Sequence, residues 1–334
     1  MLALVIKHKA LKLGYLACGI IPADAVREYT RHLDERVKSF PESKELYEPL
    51  YDLARLPESA KSIIVCTQRY NGYKVPEALN GLIGKVYLFD GRIPYSNEYR
   101  AETEFEMYLK ILGVNILKCD VPVRLAAAKA GLGKFGRNNF IYDKEHGSYI
   151  WIDAWVTDKE MDYDAVQETA LSSACDENCK KCIASCPTKA LAGSLSMDRG
   201  KCVTHLQFCT GPLEENTRSQ MGLWQYGCDA CQDVCPLNKD KFMEPEEFPL
   251  LEEFEEYLKP EYILDMDEDT YMNIIFPRFW YAGKNNLWLW KCNAIRSIIN
   301  SGEDKYHSLI KKCCNHSDNR ISETAQWGCA KLGI

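Results

Sequence analysis

The chain has 334 residues, of which 46% are hydrophobic and 27% charged, a composition typical of a globular protein with two or three domains. Its formal net charge is -7, which argues against a surface that binds nucleic acid non-specifically but leaves room for a local basic face. Lysines interrupt the apolar N-terminus, and no later apolar run reaches the roughly eighteen residues that a membrane span needs. We therefore expect a cytoplasmic protein with no membrane partner.

The N-terminal half alternates patterns typical of strands and helices. The segment KSIIVCT, at residues 61–67, is a β-branched run that predicts a buried strand. The segment SYIWIDAWVT, at residues 148–157, predicts a strand with one aliphatic and one aromatic face. Between them, VRLAAAKAG at residues 123–131 is alanine-rich and predicts a helix.

The segment AGLGKFGRNNF, at residues 130–140, contains the order G-x-G-x-x-G of a dinucleotide-binding fingerprint. A true fingerprint follows a strand and opens a helix, so that the helix N-terminus meets the pyrophosphate. Here the order is reversed, because the predicted helix runs into the glycines and a strand follows. We therefore reject a nicotinamide-cofactor site, and we predict that Gly131 ends the helix and that Gly133 and Gly136 are hinges of the loop.

The strongest signal comes from the 16 cysteines. Because thiols are kept reduced in the cytoplasm, clustered cysteines there are expected to bind metal instead of forming disulfides. Two runs, CDENCKKCIASCP from residue 175 and CDACQDVCP from residue 228, end in the C-x3-C-P spacing of bacterial ferredoxins. The second run has only three cysteines, and Cys202 between the runs is the natural supplement, with Cys209 as a weaker alternative.

Together these cysteines are enough for two 4Fe-4S clusters. In two-cluster ferredoxins the cysteine before proline binds the other cluster, because the chain crosses over at that point. The predicted ligands of the first cluster are Cys175, Cys179, Cys182 and Cys235. The predicted ligands of the second cluster are Cys186, Cys202, Cys228 and Cys231. Two structural zinc sites are the alternative, although zinc does not require proline after both runs.

The C-terminal part has helical periodicity and a concentration of basic residues. Two apolar stripes at helical spacing consist of Leu287, Trp290, Ala294 and Ile298, and of Ile321, Ala325, Cys329 and Leu332. They predict a small helical, repeat-like region. The basic residues between positions 272 and 312 are Arg278, Lys284, Lys291, Arg296, Lys305, Lys311 and Lys312. We expect this basic stripe to lie on the surface.

The order and spacing of these segments resemble the epoxyqueuosine reductase family, the cobalamin-dependent iron–sulfur enzymes of tRNA queuosine synthesis, which are related to reductive dehalogenases. The segments that carry the resemblance are LPESAKSIIV, LAAAKAGLGKFGRNN, GSYIWIDAWVTD, the first cysteine run with PTKAL, KCVTHLQ, YGCDACQDVCPLN, MDEDTY and NHSDNRISETAQWGCAKLG. The chain looks like a family member or a paralogue. The resemblance implies a multidomain α+β or α/β protein, with an α/β cobalamin-binding domain over residues 1–160, a two-cluster ferredoxin-like domain over residues 161–248 and a helical, HEAT-like region over residues 249–334.

The resemblance also implies how cobalamin is held. In such enzymes the cofactor binds base-off, with no histidine on cobalt, and none of the six histidines here lies in the D-x-H-x-x-G pattern of histidine-ligated corrinoid proteins. The glycine loop and the aromatic strand face would hold the corrin, and the clusters would pass electrons singly to cobalt. The implied cofactor-binding residues are Lys134, Arg137, Asn138, Asn139, Ser148, Asp153 and Val203. A surface role for Arg137, and an ion pair of Asp153 with Arg137 or Lys134, are the alternatives.

The family's proton donor is an aspartate before the glycine loop, and the segment CDVP makes Asp120 its counterpart. Burial beside the corrin would keep this carboxyl protonated. This chain has one residue between aspartate and proline where the family has two. An ordinary turn aspartate is therefore the alternative.

Three functions stay open at this point. The first is a reductase that removes the epoxide oxygen of epoxyqueuosine in tRNA, for which the basic stripe could help to form a groove for the anticodon stem. The second is a paralogue that reduces a small molecule, which the altered CDVP segment and the acidic net charge favour. The third is a corrinoid-linked electron-transfer or activating protein, against which the long N-terminal domain argues. The reductase readings imply an external low-potential electron donor, a ferredoxin or flavodoxin.

Overall fold

The computed structural model describes residues 1–167, 174–193, 195–242 and 246–334. The strands are β1 (Ala17–Pro22), β2 (Ser62–Arg69), β3 (Ile116–Leu117), β4 (Lys134–Phe135), β5 (Ile141–Tyr142), β6 (Ile150–Thr157), β7 (Leu191–Gly193) and β8 (Ser196–Met197). The α-helices are α1 (Leu2–Lys12), α2 (Tyr29–Ser39), α3 (Lys44–Tyr47), α4 (Lys85–Leu88), α5 (Asn97–Ile111), α6 (Val123–Lys129), α7 (Lys181–Ser185), α8 (Val203–Leu206), α9 (Glu215–Gln220), α10 (Ala230–Asp233), α11 (Leu251–Glu255), α12 (Pro260–Asp265), α13 (Glu268–Thr270), α14 (Leu287–Ser301), α15 (His307–Cys313) and α16 (Asn319–Leu332). Short 3-10 turns and a π-helical turn at Tyr271–Ile275 connect several of them.

An antiparallel sheet in the order β1-β2-β6-β3 forms the centre of the N-terminal half. The β-branched run forms β2, which is buried along its length except at Arg69. Strand β2 pairs with β6 throughout, with Ile64 opposite Trp155 and Cys66 opposite Asp153. Both predicted strands are therefore confirmed, and the central position of β2 explains why it is apolar on both faces.

Helices cover both faces of this sheet. Helices α1 and α5 pack on one face, where Ile6, Phe105 and Trp155 share a buried core. Helix α6 packs on the other face, where Leu125 and Val156 lie in a separate core. Neighbouring residues of β6 therefore point to opposite sides, as the alternation of the sequence predicts.

The C-terminal helices share an extensive core with residues from the N-terminal half. The residues of the two predicted stripes that are buried in this core are Leu287, Trp290, Ala294, Ile298, Ile321 and Ala325. Tyr73 and Phe89, from the chain between β2 and α5, are buried in the same core, together with Tyr226 of the cysteine-rich segment. The predicted helices α14 and α16 are confirmed, and they pack against each other. The chain that follows β2 thus packs onto the C-terminal helices.

The cysteine-rich segment, residues 174–238, has short elements and few apolar side chains. Helices α7 and α10 contact each other, and β7 and β8 form a hairpin. This segment has two small cores, one with Cys182 and Cys186 beside Ala190 and Leu191, and one with Val203, Leu206 and Met221. Its cysteine side chains are therefore part of its packing.

The prediction of a surface basic stripe is wrong for three of its members. Arg278, Lys291 and Arg296 are only 3%, 7% and 2% exposed. The Arg296 guanidinium donates to the carbonyl of Trp224 and, at 2.9 Å, to that of Gly222. Arg278 likewise donates to a main-chain carbonyl, at 2.7 Å. These side chains join the C-terminal helices to neighbouring segments, so they do not form an RNA-binding surface.

Asp153 lies on the α1–α5 face of the sheet among buried polar groups. Its carboxylate accepts a hydrogen bond from Gln68 Nε2 at 3.0 Å. Burial raises the pKa of Asp153 to about 6, and hydrogen bonds from Gln68 and Trp151 offset this only in part. Burial also raises the pKa of Glu102 to about 7, and the nearby charge of Asp153 adds to that shift. Two acidic groups with raised pKa values thus share this face.

No helix among the described residues combines the length and the apolar character that crossing a lipid bilayer requires.

The first prediction concerns the buried Arg296. The substitution Arg296→Met leaves the Trp224 carbonyl without this donor, and we expect the free energy of unfolding to fall by about 2–4 kcal/mol. Urea unfolding under anaerobic conditions measures the change. The exposed Lys311→Met is the matched control and should change stability by no more than about 0.5 kcal/mol. Equal effects of the two substitutions would contradict the role assigned to Arg296.

The second prediction concerns pH. Because the pKa of Asp153 is higher in the folded protein, at about 6, than in the unfolded chain, its ionisation costs stability as pH rises from about 4 to about 7. The variant Asp153→Asn lacks this cost, so the difference in free energy of unfolding, variant minus wild type, should increase by about 1–3 kcal/mol between pH 5 and pH 8. Thermal unfolding at both pH values tests this, with Asp158→Asn after the same strand as the control. A difference that does not change with pH would contradict it.

Candidate functional site

The part of the N-terminal half that contains the sheet β1-β2-β6-β3 and the helices packed on it is called the sheet domain below. A cavity of about 510 Å³ lies between it and the cysteine-rich segment. One wall is lined by Val123 of α6 and by Ile150 and Ile152 of β6. The other wall contains the cysteines predicted to bind the second cluster, Cys186, Cys202, Cys228 and Cys231. Tyr281, from the C-terminal part, also lines it. The volume is within the range of cofactor and small-molecule sites, about 300–1,000 Å³. This space is called the cysteine-lined cavity below.

Electrostatic interactions divide the cysteines that are predicted to bind clusters into two groups. Burial raises the pKa of the thiols of Cys182 and Cys231, and neighbouring thiols raise it further. The thiols that interact with Cys182 are those of Cys175, Cys235 and Cys179. The thiols that interact with Cys231 are those of Cys228, Cys202 and Cys186. The structure therefore brings together the cysteines that the spacing assigned to each cluster, while the ligand assignment itself stays a prediction.

Within the described ranges, no three Cys, His, Asp or Glu side chains are placed to hold a single metal ion. A 4Fe-4S cluster has a different requirement, because each of its four cysteines binds a separate iron atom. The grouping of the cysteines by fours matches the number of ligands that such a cluster needs.

Main-chain N–H groups donate to several of these sulfur atoms. Cys175 Sγ accepts from the Arg137 N–H at 3.4 Å, and Cys186 Sγ accepts from the Ala190 N–H at 3.2 Å. Further cysteines that accept main-chain hydrogen bonds are Cys182, Cys202 and Cys228. Such bonds stabilise negative charge on sulfur and help to set the reduction potential of iron–sulfur clusters. The set of donors therefore suits anionic thiolates bound to clusters.

Arg124, which the sequence analysis did not single out, projects into the cysteine-lined cavity. The side chain is accessible to solvent from within the cavity. The surrounding protein nevertheless desolvates its guanidinium, which lowers the pKa of that group. The guanidinium lies 4.7 Å from the centroid of the Phe140 ring and donates to the Asn139 carbonyl at 3.2 Å. Its charge interacts with Cys231. A positive charge thus faces the second cysteine group across the cavity.

Arg92 also lines the cavity and is held by aromatic rings. Its guanidinium lies 5.0 Å from the ring centroid of Trp151, 4.8 Å from that of Trp280 and 5.3 Å from that of Tyr281. Asp90 accepts two side-chain hydrogen bonds from it, at 2.9 and 2.6 Å, and the Tyr281 hydroxyl accepts a third at 2.7 Å. The paired hydrogen bonds and ring contacts fix the orientation of this cation. Of its partners only Asp90 is close to Arg92 in the sequence, and the three aromatic rings are too far along the chain for a local pattern to indicate them.

The implied cofactor-binding residues that line the cavity are Asn138, Ser148 and Val203. Ser148 belongs to a buried polar network: its hydroxyl donates to Gln232 Oε1 at 2.8 Å and accepts from Asn238 Nδ2 at 2.8 Å. Asn238 Oδ1 in turn accepts from the Ser148 N–H at 2.8 Å. Ser148 therefore holds the cysteine-rich segment against the sheet domain.

The implied residues Lys134, Arg137 and Asn139 do not line the cavity. Lys134 is exposed on β4. Arg137 donates to two main-chain carbonyls of the first cysteine run, at 3.4 and 2.6 Å, so it is bound to that run and is not a free surface arginine. The Asn139 side chain accepts a hydrogen bond from Arg36 at 2.9 Å. These residues connect the loop to its neighbours.

Neither of the predicted acidic site residues reaches the cavity. Asp120 is exposed between β3 and α6 and is not among the lining residues. Asp153 lies on the α1–α5 face, where its partners are Gln68 and Trp151 instead of Arg137 or Lys134. The predicted proton donor needed burial beside a cofactor, and Asp120 has no such burial in this conformation.

The glycine loop packs closely on its neighbours, and the role of Gly133 and Gly136 as hinges stays a prediction. Gly131 has a φ of +74° and follows α6, as predicted for a residue that ends the helix. A Cβ atom on Gly133 would lie 2.5 Å from Ile141 Cγ2, and one on Gly136 would lie 2.3 Å from Tyr142 Cε2. Glycine is therefore needed where the loop packs on β5. The loop follows a helix and precedes a strand, the opposite order from a dinucleotide site.

Comparison with known proteins supports the expectation of iron–sulfur clusters. The family described as a 4Fe-4S double cluster binding domain matches residues 174–238. A curated relative named epoxyqueuosine reductase, from Cellulophaga algicola, is 27% identical over 262 residues, which cover 74% of this chain and 81% of the relative.

Solved structures of epoxyqueuosine reductases have the same fold. One, determined with a tRNA-Tyr epoxyqueuosine-modified stem loop, has a TM-score of 0.76 and 23% identity and covers 100% of this chain and 90% of that chain. Another, from Bacillus subtilis with its catalytic loop swung out of the active site, has a TM-score of 0.74 and 22% identity and covers 100% of this chain and 91% of that chain. As the spacing of its motifs indicated, the chain is a relative of the epoxyqueuosine reductases and has their fold.

Proposed function

We propose that this protein is a cobalamin- and iron–sulfur-dependent oxidoreductase that converts epoxyqueuosine in tRNA to queuosine. The observation that carries the proposal is the cysteine-lined cavity, which has the predicted second cluster on one wall and the sheet domain on the other. The name of the curated relative and the solved complex with a modified tRNA stem loop support the substrate.

The residues of the cavity suit cobalamin. Aliphatic and aromatic side chains such as Val123, Ile152 and Phe140 would contact the flat corrin, while Asn138 and Arg124 would hydrogen-bond its peripheral amides. When bound, cobalamin would supply a strongly reducing cobalt centre next to the second cluster. The cofactor would bind base-off, and none of the six histidines is among the described residues that line the cavity.

The two cysteine groups suggest a direction for electron transfer. The second group lines the cavity, and no member of the first group is among the lining residues. An external low-potential donor, a ferredoxin or flavodoxin, would reduce the first cluster, and the second cluster would receive electrons from it. Removal of the epoxide oxygen takes two electrons and two protons and gives an alkene and water.

One of the two protons needs a donor in the protein. Asp120 stays the proposed donor, in a conformation that turns its segment towards the cavity from the exposed position described above. The Bacillus subtilis enzyme, with its catalytic loop swung out of the active site, is an example of such a rearrangement. Movement of residues 118–122 would bring the Asp120 carboxyl to the cysteine-lined cavity.

The organisation that we propose has three parts. Residues 1–160 form the cobalamin-binding domain, residues 161–248 the two-cluster domain and residues 249–334 a HEAT-like helical region. The contact between α14 and α16 supports the last assignment. The core shared by Tyr73, Phe89 and these helices supports a rigid joint between the first and third parts. Action on tRNA would take place in the cytoplasm.

Enzyme assay tests the proposed function directly. We expect the anaerobically purified protein, supplied with cobalamin, iron, sulfide and dithionite, to convert epoxyqueuosine to queuosine in tRNA, as measured by mass spectrometry of the digested nucleosides. Heat-inactivated protein is the control. If tRNA is unchanged while both clusters and cobalamin are bound, the tRNA substrate is wrong, and turnover of small epoxides would then identify the small-molecule alternative.

The choice between Cys202 and Cys209 as a cluster ligand gives a further prediction. Cys202 lines the cavity with the second group, and Cys209 does not. We therefore expect Cys202→Ser to lose about half of the bound iron and one of the two reduced-cluster signals in electron paramagnetic resonance, because a cubic cluster needs four thiolates. The matched variant Cys209→Ser should keep the iron content of the wild type. Loss of a cluster in Cys209→Ser alone would reverse the assignment.

A further inference from the structure

Two cysteines that are not predicted to bind clusters meet in the C-terminal helical region. Cys314 directly follows α15, and Cys329 lies near the end of α16. Their Sγ atoms are 3.4 Å apart. Both side chains are partly buried and pack against the core that the C-terminal helices share. Two thiols from neighbouring helices therefore contact each other directly.

Local hydrogen bonds hold these two thiols in position. The Cys314 thiol donates to the Ile310 carbonyl, one helical turn earlier, at 3.6 Å. Because its hydrogen is directed to that carbonyl, its sulfur is left to accept from the Cys329 thiol. Gln326 Nε2 donates to the Cys314 carbonyl at 3.3 Å, which joins the end of α15 to α16 through the main chain as well. The contact between the sulfur atoms is thus supported on both helices.

The other cysteines of the C-terminal region have different surroundings. Cys313 is only 6% exposed and is buried in the shared core. Cys292, on α14, donates to the Arg320 carbonyl at 3.5 Å. The geometry therefore favours the pairing of Cys314 with Cys329 over the alternatives that the sequence offers.

We propose that Cys314 and Cys329 are a redox-active pair, which closes into a disulfide between α15 and α16 when the small thiols around the protein become oxidised. The inference goes beyond the proposed function and does not depend on it. A disulfide bond is about 2.0 Å long, so the two sulfur atoms need to approach by about 1.4 Å. Rotation of the two side chains can supply a movement of this size. Disulfides in a reducing compartment are usually transient and redox-sensing, which suits a pair that is reduced at rest.

The oxidant is a small disulfide of the glutathione type. The thiolate of one cysteine attacks it, so that a mixed disulfide forms and one small thiolate leaves. The thiolate of the other cysteine attacks the mixed disulfide, the bond between the two cysteines forms, and the second small thiolate leaves. The small thiolates take up the two protons that the cysteines lose. In total, two protein thiols are oxidised, and one small disulfide is reduced to two small thiols.

The surroundings of the pair limit how fast it reacts. Burial raises the pKa of Cys314 to about 11, and the neighbouring Cys329 thiol adds to this shift. Thiol–disulfide exchange requires the thiolate, so the exchange is slow at neutral pH and a high proportion of oxidant is needed to complete it.

Mapping of the disulfide tests the inference. The full-length protein is incubated anaerobically with oxidised glutathione, unfolded in iodoacetamide to block free thiols, and digested with trypsin. Cleavage after lysine and arginine places Cys314 in the peptide 313–320 and Cys329 in the peptide 321–331. We expect mass spectrometry to find the two peptides as one linked species, two hydrogen atoms lighter than their sum. Dithiothreitol should separate them.

Two matched variants identify the cysteine that forms the bond. Cys314→Ser should abolish the linked species, whereas Cys313→Ser, which changes the adjacent cysteine of the same peptide, should retain it. Fragmentation of the linked species from the wild type locates the bond at Cys313 or at Cys314, so the test does not depend on the folding of either variant.

Three results would overturn the inference. The first is two separate peptides in the oxidised wild type, whether their thiols are free or carry glutathione. The second is a bond located at Cys313. The third is a link from Cys329 to the peptide that contains Cys292. None of these results bears on the proposed function, which the cluster and tRNA measurements test separately.

Discussion

The whole site depends on the buried hydrogen bonds that hold the cysteine-rich segment against the sheet domain. Asn138 bonds the Cys231 carbonyl, and Ser148 bonds Gln232 and Asn238, so the two domains meet through polar groups that satisfy one another. Buried polar groups tolerate little displacement, since a broken bond leaves a donor or acceptor without a partner. This constraint fixes the wall of cysteines opposite α6 and β6, and the cavity is the space that remains between them.

Two guanidinium groups line this cavity, together with the carboxyl groups of Asp90 and Asp229. Arg124 and Arg92 both line it, and neither guanidinium lies free in solvent: Phe140 contacts the first, and Asp90 with three aromatic rings holds the second. Fixed cations beside a site that receives electrons stabilise the negative charge that accumulates there. The acidic net charge of the chain gave no indication of this local environment.

Features that depend on neighbours in the chain were predictable from sequence. The C-P cysteine runs, the alternation in β6 and the glycine after α6 are local patterns, and the structure places each as expected. Alternation correctly put Asp153 on the opposite side from Ile152, but it does not say which side of the sheet meets the cavity. The basic residues Arg278 and Arg296 were expected at the surface, because local sequence does not show that main-chain carbonyls elsewhere would accept their hydrogen bonds.

The central claim is that cobalamin binds in the cavity next to the second cluster, and electron paramagnetic resonance of cob(II)alamin tests it most directly. With the anaerobic wild-type protein we expect the cobalt signal to lose the coupling of an axial nitrogen, and reduced 4Fe-4S signals to join it after dithionite. Val123→Trp, at a partly buried residue of α6 that lines the cavity away from the cysteines, should leave the spectrum of free cobalamin unchanged while both cluster signals persist. A spectrum of free cobalamin with the wild-type protein, or an equal change with Val123→Trp, would contradict the account.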